Sequence, residues 1–340
     1  MQKIAIVGAG GMGTVHYNNY LQIEKAEVRA VVGPSGADKK QAEKWGIKIY
    51  PDIKELLVSE EIDLVDICTP TFLHVEHALQ ALNAGKNVII EKPIALHRED
   101  ADRIFALADE KKSQVYVGQV LHFTREVEIL KEAVKSKTYG RILDAYFTRL
   151  TAAPNWVQGG WMFDKEKSGL LPFDLHIHDL DLIVSLFGRP ESYSYTAAGR
   201  EESEFKEHYR FNYNYEDLNV GAEAAWYNAN YPFTARWRVY FEKGLLVNEE
   251  KLIFYPAEGE SVEFETEQEP KIETGINLPP TAMFYNELSH FIDCAARGIS
   301  SDRITKEQLI TTVGILEEIA GLEGDDVLHN KRSNSGGTAV

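Results

Sequence analysis

Cysteine is nearly absent: Cys68 and Cys294 are the only two in 340 residues, and neither sits in a CxxC pair. That excludes a disulfide framework or a zinc–thiolate centre and makes a reducing compartment the simplest expectation. No apolar run approaches the roughly 18 residues that would suggest a membrane-spanning helix. The opening "MQKIAIVGAG" enters a strand pattern almost at once, leaving no room for a signal peptide, so a cytoplasmic location is expected. Positive charge is also short. Lys and Arg number 36 against 53 Asp and Glu, a net charge of −17, which argues against nucleic acid or an anionic membrane as the main partner. What is there, 44% hydrophobic and 26% charged residues, suits a globular chain long enough for two buried cores.

Short apolar runs alternate with helical patterns through the first third. Residues 3–7, 27–32, 62–67, 87–91 and 114–118 read as strands too apolar for a surface, hence a parallel sheet buried on both faces. Between them, residues 74–85 set Val75, Ala78, Leu79 and Leu82 on one helical face, with Gly85 as the stop. Such units make an α/β doubly wound sheet. Further on, residues 234–247 alternate strictly, Ala235, Trp237, Val239 and Phe241 against Thr234, Arg236, Arg238 and Tyr240, turning at 242–244. With 191–199 and 218–227 they predict a mostly antiparallel sheet, followed by helices over 281–298 and 305–322. The expected division is a dinucleotide-binding Rossmann domain at 1–120, an α/β domain with an open-faced sheet at 121–329, and a polar tail at 330–340, expected to be disordered.

Gly8, Gly10 and Gly13 stand in GxGxxG spacing between a strand and a helix. The first glycine permits the tight turn, the second lets a pyrophosphate approach the backbone, and the third lets helix and strand pack closely. The helix N-terminus then offers free N–H groups to the phosphates. Gly11 and Met12 fall inside this loop. A bare GxGxxG also matches ordinary glycine-rich turns; here strand, loop and helix occur together. Lys92, ending the strand 87–91 within "EKP", lies where a doubly wound sheet binds ligands. Partial desolvation there would fit it for proton transfer, though on its own it also reads as a surface lysine before a turn.

The stretch "DLHIHDLD" (174–181) packs three aspartates and two histidines into eight residues. Leu180, Ile183, Val184 and Phe187 follow helical spacing, with Gly188 and Pro190 as stops. Extending that helix backward stacks Asp174 and His178 four apart, with Asp181 next along, and turns His176 elsewhere. On a helix, residues two apart diverge by about 200°, so the HxH pair is poorly placed to share a metal. His74 and His77 suit packing. A carboxylate beside an imidazole fits proton transfer better, orienting the ring and tuning its pKa.

"GAGGMG", "CTPTFLHVEHALQALNAGKNVIIEKPIA" and "DLHIHDLD" together resemble the Gfo/Idh/MocA oxidoreductases, over residues 1 to about 323, with "GRI" at 140–142 and "FYNELSHFID" at 284–293 adding to the likeness. The resemblance implies NAD(P) chemistry on a sugar, polyol or similar hydroxy compound, and no catalytic metal. It implies that Lys92 contacts the reacting hydroxyl, that Pro93 follows a cis peptide, and that Asp174 and His178 complete a catalytic group with His178 as general acid/base. Thr69, Pro70, His74, Glu91, Lys92 and Pro93 join the glycine loop as cofactor candidates. His122, Asn155, Trp156, Trp161 and Tyr285 are substrate candidates, each of which could equally be packing. Relatives often carry a run of glycines before this aspartate, whereas here "KSGLLPFD" brings leucines and Pro172, implying a differently shaped pocket. The competing reading is a non-catalytic dinucleotide-binding regulator or redox sensor, against which intact Lys92, Asp174 and His178 argue.

An NAD-type acid is expected about 20 residues past the glycine loop. Counting from Gly13 reaches Gly33 instead. With no carboxylate at the strand end, Ser35 and Lys39 or Lys40 could accept a 2′-phosphate. The expectation is NAD(P), leaning to NADP, with Asp38 as a residue that could swing in to serve NAD. The face bearing Arg236, Arg238 and Tyr240 has no obvious covering helix, so a homo-oligomer, dimer or tetramer, formed through the open sheet is expected.

Overall fold

A computed structural model describes residues 1–155, 158–276 and 278–322. Trp156, the expected tail and the end of the expected second domain lie outside the described residues. The first region alternates β1 (Gln2–Val7), α1 (Gly11–Tyr20), β2 (Ala26–Val32), α2 (Gly36–Trp45), β3 (Lys48–Tyr50), α3 (Ile53–Ser59), β4 (Leu64–Ile67), α4 (His74–Asn83), β5 (Asn87–Glu91), α5 (Arg98–Lys111) and β6 (Val115–Gly118). The strands pair in parallel in the order β3-β2-β1-β4-β5-β6. Every residue of β4 is buried, as are Val88, Ile89, Ile90 and Glu91 of β5, which is why these strands read as apolar runs. The order reverses between β1 and β4, opening a crevice at their carboxyl ends where doubly wound sheets bind ligands.

The chain continues through α6 (Arg125–Ser136), β7 (Ile142–Ala152), α7 (Lys165–Ser168), a π-helical turn (Pro172–His176) and α8 (Ile177–Phe187). Seven more strands follow: β8 (Ser192–Ala198), β9 (His208–Tyr215), β10 (Leu218–Tyr227), β11 (Thr234–Phe241), β12 (Gly244–Asn248), β13 (Leu252–Pro256) and β14 (Val262–Phe264). They join β7 in one sheet, order β14-β13-β12-β11-β7-β10-β9-β8, antiparallel except for the β7–β10 pair. The alternation of β11 is as expected: Trp237, Val239 and Phe241 are buried, while Arg236, Arg238 and Tyr240 are exposed. The Arg238 guanidinium lies over the Tyr146 ring at 4.8 Å.

Two helices bind the regions together. α9 (Met283–Arg297) ends on Gly298 and packs on α1; α10 (Lys306–Ala320) ends on Gly321 and packs on α5 and α8. Both stops adopt left-handed backbone, the conformation glycine takes at least cost. Among the described residues no helix is long and apolar enough to cross a membrane.

Candidate active site

The glycine loop is built for close approach. Gly8 turns the chain out of β1 at φ +91°. A methyl group on Gly13 would lie 2.1 Å from the Gly8 carbonyl oxygen, so only glycine lets α1 sit on the loop. Around Gly10, by contrast, a Cβ would meet nothing within 4 Å, and α1 starts with no side-chain cap. Open space beside uncapped helix amides fits a dinucleotide's pyrophosphate. The loop after β4 closes one side: a Cβ on Gly8 would come within 3.1 Å of the Thr69 methyl. Gly11 faces Ile276, and Met12 packs with Val15, Val120 and Phe284.

Three cofactor candidates turn inward instead. Each ring nitrogen of His74 lies against a carbonyl, Pro93 at 2.7 Å and Thr69 at 2.8 Å. Its ring, 1% exposed, therefore clamps the loops after β4 and β5 together, so this cofactor candidate of the resemblance serves the scaffold. Glu91 is 7% exposed; its carboxylate meets His16 and accepts the Lys92 N–H. The Pro93 carbonyl is the one held by His74, and the Lys92–Pro93 peptide is cis, as the resemblance implied.

Lys92 crosses to the second region. Its Nζ donates to the Asp174 carbonyl at 2.7 Å and to the Asp174 carboxylate at 3.1 Å. The expected regular helix from Phe173 onward is wound as a π turn over Pro172–His176 before α8 begins. Such a wider turn is a distortion frequent at functional sites. Asp174 goes to Lys92, and His178 Nδ1 is buried without a hydrogen-bond partner among the described residues. Burial, then the charge of Lys92, then that of Arg149 push the His178 pKa well below the ordinary range. The ring is therefore neutral at neutral pH, able to accept a proton.

The rest of the cluster disperses. His176 is fully buried, bonded to the Tyr213 hydroxyl at 2.7 Å and stacked on Phe211; burial and Arg149 push it down to about 3. Asp179 holds Arg149 of β7 through two hydrogen bonds. Asp181 holds His122 at 2.6 Å, both side chains 1% exposed. His122 therefore presents no surface to a substrate; as a candidate it fails because a buried carboxylate claims its ring. Asn155 is exposed. Trp161 meets the exposed Phe72 edge-on at 6.2 Å, and Tyr285 packs partly buried on the core.

Sequence reasoning missed a buried polar cluster behind Lys92. His16 of α1, fully buried, places Nδ1 on Asp66 at 2.8 Å and Nε2 on Glu91 at 3.0 Å. Tyr20 donates to the same aspartate at 2.8 Å, and Cys68 lies against His16 at 3.4 Å. His16, Asp66 and Cys68 offer ligand atoms within 4.8 Å of one another, but both His16 nitrogens already face carboxylates and burial raises the Cys68 thiol pKa. The available signal was positional: His16 is one turn past Gly13, on the face of α1 that meets the sheet. Burial alone would lower its pKa, yet Asp66 and Cys68 raise it well above the ordinary range.

Glu287 of α9 borders this cluster, fully buried, with neither carboxyl oxygen bonded among the described residues. Burial first, then Glu91 and Asp66, raise its pKa well above the usual carboxylate range. A carboxyl whose folded pKa is raised holds its proton more tightly in the native state. Stability is therefore lost as pH rises from the unfolded value through the folded one. Glu287→Gln, a mimic of the neutral carboxyl, should raise stability at pH 8 by about 1 kcal/mol and by less at pH 5. Thermal melts across that range check it; a gain independent of pH would contradict it.

Residues 2–119 match the family described as an oxidoreductase family with an NAD-binding Rossmann fold, and residues 127–247 match its GFO/IDH/MocA C-terminal domain. The chain belongs to the Gfo/Idh/MocA oxidoreductase family. Among curated members it is similar to glucose-6-phosphate 3-dehydrogenase of Bacillus subtilis, 33% identical over 55% of this chain and 54% of that one. D-Glucoside 3-dehydrogenase of Escherichia coli is 31% identical over 64% and 65%. The chain spans about half the length of the first curated relatives it matches. In fold it resembles levoglucosan dehydrogenase bound to NADH and levoglucosan, TM-score 0.80 at 18% identity, covering 94% of this chain and 97% of that one. That likeness in fold extends over both sheets of this chain.

Proposed function

We propose that this chain is an NAD(P)-dependent dehydrogenase or reductase that moves hydride between the nicotinamide and a CH–OH carbon of a sugar, polyol or related small molecule. The observation that carries the proposal is the junction of Lys92 with Asp174, beside the half-buried, neutral His178, at the carboxyl end of β5. The named dehydrogenase relatives support it. The glycine loop would hold the pyrophosphate; the nicotinamide, when bound, supplies the hydride acceptor or donor.

On this proposal the chain's own residues handle the proton. In the oxidising direction the substrate hydroxyl gives its proton to His178 as the carbon loses hydride, so the C–O bond becomes a carbonyl. The Lys92 ammonium, held by Asp174, donates a hydrogen bond to the reacting oxygen and stabilises the charge that gathers there. In the reducing direction the same groups return the proton. Phe72 and Trp161, an edge-to-face pair, are suited to a sugar ring's apolar face. We propose the division of the chain near residue 120, with the glycine loop on one side and Asp174 and His178 on the other.

Incubation with NAD⁺ or NADP⁺ and a panel of sugars and polyols, followed by absorbance of the reduced nicotinamide, tests the proposal. Binding of cofactor without turnover on any compound would favour the regulator reading instead. Within the cofactor class, the exposed Lys39 and Lys40 speak for NADP, and Asp38 speaks against it.

The exposed face of β11 is proposed to pair with another copy of the chain. Sedimentation at micromolar concentration should give a multiple of 38.4 kDa, and Arg236→Glu with Arg238→Glu should shift the protein toward monomer. A wild-type monomer alone would rule the pairing out.

A further inference from the structure

We infer that Asp38, in the first turn of α2, is the acid that selects the adenosine ribose of the cofactor, and that it selects NAD(H) over NADP(H). The inference rests on the proposal that the glycine loop holds a nicotinamide dinucleotide.

A strand-end acid would stand at position 33, and Gly33 stands there. The backbone of Gly33 is outside the left-handed region, so glycine is not required by conformation. It is required by space. A Cβ at Gly33 would lie 2.4 Å from Asp38 Cγ and 2.6 Å from its Cβ and Oδ2. The carboxylate of Asp38 thus fills the volume from which a strand-end side chain would grow.

Its hydrogen bonds fix it there. Oδ1 accepts the Ala9 N–H of the glycine loop at 3.0 Å. Oδ2 accepts the Ser35 N–H at 3.1 Å and the Ser35 hydroxyl. One side chain therefore ties the glycine loop to the turn after β2, across 29 positions of sequence. A carboxylate has about four acceptor sites; three are engaged, and the half-buried group keeps one for a ribose hydroxyl.

The features that favoured NADP weaken accordingly. The Ser35 hydroxyl already donates to Asp38 and accepts the Asp38 N–H in return, so it is not free to meet a 2′-phosphate. The N-terminus of α2 is capped by the same reciprocal pair, which offsets its pull on an anion. Lys39 and Lys40 are exposed, and a 2′-phosphate reaching toward them from the ribose would still abut the carboxylate, a like-charge contact.

Dissociation constants of NADH and NADPH, measured by nicotinamide fluorescence at fixed ionic strength, test this without turnover. Wild-type protein should bind NADH at least about tenfold more tightly than NADPH. Asp38→Asn, which keeps the shape and the Ala9 bond, should reduce that preference by about tenfold or more, chiefly through tighter NADPH. Gly33→Asp alone should lose affinity for both, because its side chain collides with Asp38. Gly33→Asp combined with Asp38→Ala moves the acid to the strand end and should restore NADH preference. A wild-type preference for NADPH, or a ratio unchanged within twofold in Asp38→Asn, would overturn the inference while leaving the dehydrogenase proposal standing. If Asp38→Asn does not fold, the wild-type ratio and the double variant decide. Failure of wild-type protein to bind either dinucleotide would remove both.

Discussion

Lys92→Met should lower turnover by at least about a hundredfold, the scale of lost general acid–base and charge-stabilising assistance. Methionine keeps the length and removes the ammonium that donates to the Asp174 carbonyl and carboxylate. The loss should fall on kcat, because the charge Lys92 meets develops as the reaction proceeds. Cofactor affinity should hold within about twofold, since the phosphates are proposed to sit at Gly8–Gly13, where Lys92 has no part. His178→Ala should cost a comparable factor, and the pair should not be additive, the two groups acting on one reacting oxygen. The pH profile distinguishes their roles. With its pKa depressed by burial, Lys92 and Arg149, His178 stays a neutral acceptor as pH falls through 6.5, where an ordinary histidine would charge. Oxidation should therefore persist below that pH in wild-type protein. Near-normal turnover in Lys92→Met would mean that the lysine holds Asp174 only as part of the scaffold.

What the sequence displays is what local chemistry controls. The β1–loop–α1 unit is legible because glycine spacing, an apolar strand and an incipient helix lie within twenty residues. β11 is legible because a half-buried strand must alternate. β3 is not: at three residues near the sheet edge, with Lys48 exposed, it carries too little periodicity to register. The π turn at Pro172–His176 escaped for another reason. An inserted residue in a helix leaves the apolar pattern nearly intact while rotating everything before it, so Asp174 reads as a partner for His178 when it belongs to Lys92. His122 and His74 show the opposite limit. A histidine's neighbours in space decide whether it faces a ligand or a carbonyl, and Asp181 lies 59 positions from the one, Pro93 19 from the other. Gly33 and Asp38 are individually visible in the sequence; that each makes room for the other becomes visible only in the packing.

His16→Leu should be the most destabilising of the substitutions considered, by about 3–5 kcal/mol, the cost of leaving buried charge without its partner. The ring sits fully buried between Asp66 and Glu91, and its pKa is raised well above the ordinary value. The sign follows. A histidine whose folded pKa is raised contributes stability that is fully present below the unfolded value, about 6.5, and is lost as pH rises through the folded one. Wild-type protein should therefore be held together by this group at neutral pH and lose its contribution in alkali. In the variant, Asp66 and Glu91 would face each other with no cation between them, relieved only by taking up protons. The deficit should accordingly shrink in acid, as the two carboxyls take up protons. Adding Asp66→Asn and Glu91→Gln to His16→Leu should recover much of the loss at pH 7, because neutral amides need no counter-charge. Urea unfolding at pH 5, 7 and 9 reads all of this. Activity adds a second readout, since Glu91 also accepts the Lys92 N–H at 3.1 Å and so sets the strand end from which the lysine reaches Asp174. A variant as stable as wild type at pH 7 would show that the ring is neutral in the fold and that the two carboxyls already share a proton.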